Sequence, residues 1–204
     1  KALESQINPH FLDNTLETIN GRAKALKDQQ ISSMVESLGT LLRATLSSKK
    51  PLVTLDYEIG LAGSYMTIQK IRFEDRLLFH VECPEELGKA LILPLTIQPL
   101  LENAIRYGME ERIDTCEISI RTRKGGGLLI VEVSNEGSVF EDGLLEKLQD
   151  GTKNAHGFGI GLVNIHQRIQ MLFGEAYGLS FKNENEKAIA IITIPYKTEE
   201  DDYA

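Results

Sequence analysis

The chain is poor in cysteine: two in 204 residues, Cys83 and Cys116. They fit no metal-ligand spacing, and both fall in strand-like runs. Buried free thiols in a reducing compartment are therefore expected, rather than a disulfide framework. Long apolar runs are missing, since none reaches the roughly 18–20 residues that cross a bilayer, and no signal-peptide pattern is present. An excess of positive charge is missing too. Lys and Arg number 22 against 30 Asp and Glu, for a net charge of -8 and a pI near 5.1, which argues against nucleic-acid binding. There are no internal repeats, and no glycine-rich loop continues into the Gly-Lys-Ser/Thr of a Walker-type phosphate site. What is left, 42% hydrophobic and 25% charged, is the composition of an ordinary globular chain with room for one large or two small domains. It opens inside a helix-like segment, so a piece of something longer is expected.

The first half reads as helices. Pro9 suits a first helical position and Asn8 before it is a good cap. Leu12, Leu16, Ile19, Ala23 and Leu26 then step by four and three, a stripe that wants another helix. His10 projects roughly opposite that stripe, with Asn14 one turn on and on the same face. After a polar turn at Lys27-Asp28-Gln29-Gln30, the residues Ile31, Val35, Leu38, Leu42 and Thr45 repeat the step. Such a hairpin cannot bury both faces alone, and a second copy would complete a four-helix bundle. Thr54 caps a third helix with Asp56 and Glu58 in its first turn and Leu61, Tyr65 and Ile68 on its apolar side.

Near Ile71–Arg76 the periodicity changes. Leu77, Phe79, Val81 and Cys83 alternate with polar or exposed positions, including a half-exposed His80. Pro94 opens a helix that Gly108 stops. Strands around Ile118–Thr122 and Leu129–Val133 form a hairpin across Lys124-Gly125-Gly126-Gly127, and a short helix is expected at Gly143–Leu148. Gly157-x-Gly159-x-Gly161 leads into a helix reaching about Leu172, and strands Tyr177–Lys182 and Ala188–Pro195 follow. His156 reads as loop surface, His166 as a surface residue of that helix, and the acidic run from Glu199 to Asp202 as a solvated tail. The fold class is α+β: a helical hairpin over residues 1–72, then an α/β sandwich with a mixed, mostly antiparallel sheet over residues 73–204.

Two further groupings carry chemistry. In the helix Pro94–Gly108, Asn103, Arg106 and Tyr107 lie at i, i+3 and i+4, opposite Leu100, Leu101 and Ala104. Asn completes a magnesium shell already held by phosphate oxygens, and Arg pairs with those oxygens. Glycines at a helix start let backbone N–H groups approach phosphate.

Together, Asn8-Pro9-His10-Phe11-Leu12 with Asn14, the run from Gln98 to Gly108, and Gly157-Phe158-Gly159-Ile160-Gly161-Leu162-Val163-Asn164 resemble the LytS/YesM-type sensor histidine kinases over nearly the whole chain. The resemblance implies a dimerising, histidine-bearing hairpin followed by a GHKL-type (Bergerat) ATP-binding domain. ATP would phosphorylate His10, which would pass the phosphoryl group to an aspartate of a response regulator. Asn14 would lie within reach of the His10 ring, and Asp13, which stands where an aromatic residue is usual, would either orient that ring or help take its proton, or be a plain polar helix residue. Asn103 would hold Mg2+, with Arg106 and Tyr107 near the phosphates. Gly157, Gly159, Gly161 and Leu162 would line the phosphate side of a lid. The implied partners are a second copy and a cognate regulator, with no nucleic acid, and membrane contact only through segments absent from this chain. It would be the cytoplasmic portion of a bacterial inner-membrane or plasma-membrane protein.

Such kinases usually carry Asp-x-Gly-x-Gly after the central strand, the Asp reading adenine. Here the run is Asn135-Glu136-Gly137-Ser138-Val139, an acceptor without the charge and one glycine short. That leaves a catalytically weakened nucleotide-binding sensor or scaffold as the alternative. A GHKL mechanical ATPase is less well matched, because the water-activating Glu position, four before Asn103, is Pro99.

Overall fold

The computed structural model describes residues 9–47, 50–110, 113–150 and 158–199. Asn8, Gly157, His156 and the tail beyond Glu199 lie outside them. Helix α1 (Pro9–Ala25) starts at the proline, and α2 (Gln29–Ser47) follows a tight turn. The turn is shorter than expected, because Asp28 caps α2 by accepting from the Ile31 N–H at 3.0 Å and Lys27 takes φ 57°. Polar contacts clasp the hairpin: the Ser32 hydroxyl donates to Asn20 Oδ1 at 2.6 Å, and Lys24 pairs with Glu36 at 2.9 Å. The expected stripe is only partly covered. Ala23 is buried and Leu12 and Leu16 are half-buried, but Ile19 is 43% and Leu38 41% exposed.

Strand β1 (Val53–Thr54) leads into α3 (Leu55–Phe73), which packs on α2. The Thr54 hydroxyl accepts from the Tyr57 N–H at 3.3 Å, the cap its residue type promised. After β2 (Leu77–Glu82), β3 (Leu91–Ile92) pairs with β1 and carries the chain to α4 (Ile97–Ile105). Helix α4 is shorter at both ends than Pro94–Gly108, since Pro94 and Leu95 form a turn before it and Arg106–Glu110 is a π-helical turn after it.

The remaining elements are β4 (Cys116–Gly125), β5 (Leu128–Glu136), α5 (Leu144–Gln149), α6 (Phe158–Phe173), β6 (Gly178–Glu184) and β7 (Lys187–Pro195). The sheet order is β2-β4-β5-β7-β6, with only β2 and β4 parallel. Gly126 and Gly127 (φ 58° and 76°) make the two-residue β4–β5 turn, whose primed geometry needs positive φ at both positions. Asn185 and Glu186 do the same between β6 and β7 without glycine.

Alternation sends Ile118, Ile120, Leu129, Val131, Ile192 and Ile194 to one face, all fully buried beneath α3, α4 and α6. The other face bears cross-strand ion pairs, among them Arg121–Glu82 at 2.7 Å and Lys187–Glu117 at 2.8 Å. Those partners hold the Glu82 and Glu117 carboxyls below their ordinary values. Both cysteines are free thiols, Cys116 buried as expected and Cys83 half-exposed.

His166 is a correction to the sequence reading: it is buried against β6, not on the surface. Its Nδ1 accepts from the Leu179 N–H at 3.1 Å, and it lies so close to Gly178 that a Cβ there would sit 2.4 Å from Nδ1. Burial pushes its pKa down, whereas in the unfolded chain it titrates near the usual 6.5 or so. Its contribution to stability is thus present above that value and lost as pH falls. Urea unfolding at pH 7.5 and pH 5.5 should show a smaller acid loss for His166→Gln than for the parent. Equal losses would mean that another group carries the slope.

Candidate functional site

At the start of α1, His10 is exposed, and the Asn14 amide nitrogen lies 2.9 Å from its Nδ1. Asp13 instead turns to Arg43 of α2, at 3.1 Å, and helps tie the hairpin together. Phe11, beside the histidine, is 66% exposed.

A second group of residues gathers where α4, α6 and the end of β5 meet. Asn103 is buried on α4, while Arg106 and Tyr107 are exposed on the π-turn, the guanidinium 5.7 Å from the ring centre. The expected common helix face is therefore broken. The α-helix ends at Ile105, and the wider turn re-aims the two residues that follow; such π-turns recur at functional sites. Helix α6 begins at Phe158, so Gly159 and Gly161 lie inside its first turn instead of ahead of it, and Leu162 is buried in the core.

Asn135, the residue before the last of β5, faces inward and is buried. Its amide nitrogen donates to the Glu136 carbonyl at 3.0 Å and the Ser138 hydroxyl at 2.7 Å, which fixes the amide and folds the loop back on it. Gly137 takes φ 77°, a conformation that favours glycine. Beyond it, Asn183 of β6 exchanges two hydrogen bonds with the Phe140 backbone, and the Phe140 and Phe181 rings meet at a tilt of 52° with their centres 4.7 Å apart. Glu136, Gly137, Ser138 and Val139 line a cavity of about 610 Å³ at this end of the sheet. Gly108 packs against the same spot, where a Cβ would lie 2.7 Å from Cys116 Sγ and 3.3 Å from the Asn135 amide nitrogen.

Sequence reasoning missed Glu58, Arg168, Ser138 and the tight seat of Gly108. Glu58 was read as a first-turn acid of α3, yet its buried carboxylate accepts N–H bonds from the chain entering α4. Burial raises its pKa, and those bonds and the nearby Arg168 oppose the rise.

Among the described residues no cluster of three His, Cys, Asp or Glu could hold a metal ion. A single amide, Asn103, with a guanidinium close by in sequence suits a magnesium ion that arrives already bound to phosphate oxygens rather than one caged by protein.

Two family models match the chain: histidine kinase over residues 1–77, and histidine kinase-, DNA gyrase B- and HSP90-like ATPase over residues 88–198. The chain therefore belongs to the histidine kinase-, DNA gyrase B- and HSP90-like ATPases, with a segment that matches the histidine kinase model ahead of that domain. The sensor histidine kinase YesM of Bacillus subtilis is 47% identical over 200 residues, 98% of this chain and 33% of that protein. The sensor protein LytS of Streptococcus agalactiae is 31% identical over 207 residues, 100% of this chain and 35% of that protein. The chain thus spans about a third of the length of these curated relatives. Among solved structures, the nucleotide-free catalytic domain of histidine kinase ThkA aligns with a TM-score of 0.58 at 20% identity, over 71% of this chain and 95% of that one. ThkA in complex with the response regulator TrrA aligns with a TM-score of 0.53 at 18% identity, over 92% of this chain and 59% of that one. At such identities the likeness shows the fold alone. A GHKL domain of this family is a nucleotide-binding domain.

The crowding at Gly108 is testable. Gly108→Ala should lose about 1–3 kcal/mol of stability by overpacking. Pairing it with Cys116→Ala should recover part of that loss, because the nearest atom is removed. Strictly additive melting of the single and double variants would contradict the contact.

Proposed function

We propose that residues 1–72 dimerise and carry the phosphoacceptor His10, and that residues 73–204 bind Mg2+-ATP and phosphorylate it. The phosphoryl group then passes to an aspartate of a response regulator. The observation that carries this reading is an exposed histidine at a helix start with an amide seated 2.9 Å from its ring, in a chain that also bears the ATPase domain.

The nucleophile is the neutral imidazole of His10. Turning the Asn14 amide to present its oxygen holds the proton on Nδ1 and makes Nε2 the unprotonated ring nitrogen. Nε2 attacks the γ-phosphorus, the bond to the β–γ bridging oxygen breaks, and ADP leaves. Asp13, engaged by Arg43, sets the hairpin around the histidine and stands aside from proton transfer. Asn103 would hold a magnesium ion, which would offset charge on the phosphates, and Arg106 would add its own positive charge there, so the chain's remaining work is to position donor and acceptor. Gly159 and Gly161 would line the phosphate side, with backbone N–H groups at the start of α6. Tyr107 shields that side.

Asn135 reads the adenine amine through its oxygen. A neutral acceptor there forgoes about 1 kcal/mol relative to a carboxylate, roughly fivefold in affinity. That amide and Val139 are what favour a second reading, a nucleotide-binding sensor without transfer. The whole protein is a membrane-anchored sensor of which this chain is the cytoplasmic part. No helix among the described residues is long and apolar enough to cross a membrane.

Labelled ATP separates the readings. The chain should acquire label that is lost in acid and kept in base. His10→Gln should abolish the label with nucleotide binding intact, and undiminished labelling in that variant would remove His10 from the reaction.

The half-open seam of α1 and α2 supports the dimer. Leu16→Glu combined with Leu38→Glu should give monomers, because burying unpaired charge is costly. A parent chain that sediments as a monomer at tens of micromolar, roughly where weak interfaces already associate, would end the bundle proposal.

A further inference from the structure

The turn between β3 and α4 is held from two sides by helices that belong to different parts of the chain. From α3, Glu58 Oε1 accepts the Leu95 N–H at 2.8 Å, and Oε2 accepts those of Thr96 at 3.0 Å and Ile97 at 3.3 Å. Glu58 is only 2% exposed. From α6, Arg168 donates to the Pro94 carbonyl at 2.9 Å. Within the turn, the Thr96 hydroxyl donates to the Leu93 carbonyl at 2.9 Å, and Leu95 sits at φ 58°, a conformation a leucine adopts only when its surroundings impose it. Thr96 itself gives α4 no side-chain cap. The cap comes from another helix.

The consequence is geometric. Helix α4 is one short rod, and Asn103 lies six residues from its first residue, about 9 Å along the axis at 1.5 Å per residue. Whatever fixes the start of the rod fixes the depth and rotation at which Asn103 is presented. Helix α6, which carries Gly159 and Gly161, is pinned to the same turn through Arg168.

We propose that Glu58 is a positioning residue for the nucleotide site: by capping α4 from α3 it sets where Asn103 stands, and with Arg168 it makes α3, α4 and α6 move as one. This rests on the reading of Asn103 as the magnesium-binding amide. It adds a residue of the helical half, distant in sequence from every nucleotide motif, to the determinants of the site.

The test separates the metal from the base. ATP binding by the 204-residue chain is measured calorimetrically in EDTA and in Mg2+. Glu58→Gln keeps the shape, but its amide nitrogen meets N–H donors. Its affinity in EDTA should stay within about twofold of the parent, while the tightening by Mg2+ should shrink by about fivefold or more, the scale of one lost hydrogen bond. An unchanged Mg2+ ratio overturns the assignment, as does an equal loss with and without Mg2+, which is what general loosening of the fold gives. A parent chain without any Mg2+ tightening overturns the Asn103 reading instead. If circular dichroism shows that Glu58→Gln does not fold, Arg168→Gln serves. It should lower the Mg2+ ratio by about twofold or more and speed amide exchange at Leu95, Thr96 and Ile97. A parent-like ratio in that variant overturns the two-sided hold.

Discussion

Three backbone N–H groups where the chain enters α4, two of them on the buried residues Thr96 and Ile97, are answered by a single carboxylate. Left unmet, each buried group costs about 1–3 kcal/mol, so the chain cannot place α4 here without Glu58 or something like it. Burying that carboxylate is itself unfavourable. Its three charge-assisted bonds and the field of Arg168 offset the cost. The trade has a structural consequence. Helix α3 leaves the helical half at Phe73 and α4 enters the sandwich at Ile97, yet their registers are no longer independent. The short β1–β3 ladder repeats the tie, with the Leu55 N–H donating to the Ala90 carbonyl at 2.8 Å.

The order of helices and strands was legible because one physical signal carries it. Period-four-and-three stripes mark α1 and α2, alternation marks β4, β5 and β7, and paired glycines announce the primed turn at Gly126 and Gly127. The failures share a cause as well. A pattern of apolar residues says which face of an element is covered, but not which polar side chain reaches a different element. Glu58 fits a helix first turn and His166 fits a helix surface; only the approach of the β3–α4 turn and of Gly178 shows that each is buried for a purpose. The π-turn at Arg106 was invisible for another reason. One residue more per turn leaves no trace in composition, yet it parts Arg106 and Tyr107 from Asn103. Motif and site diverge similarly at α6, where Gly159 and Gly161 read as loop but lie in the first helical turn.

The candidate site inherits its position from the sheet's two unlike faces. Toward the helices, every second residue of β4, β5 and β7 is buried and apolar until Thr122 and Asn135 break the run. Toward the other side, opposite charges stand strand against strand: Glu82 with Arg121, Glu132 with Arg123 and Lys182, Glu117 with Lys187. Exposed pairs like these add about 0–1 kcal/mol each, too little to hold a sheet together. Their effect is exclusion. A face so charged is a poor seat for an apolar helix, so α3, α4 and α6 gather on the opposite face, where Asn135 is the one carboxamide turned inward from the central strand. With its nitrogen engaged by Glu136 and Ser138, the amide keeps its oxygen as the distinguishing group it can offer to a base. The same alternation that builds the core thus places a polar acceptor at its edge, beside the helix that carries Asn103.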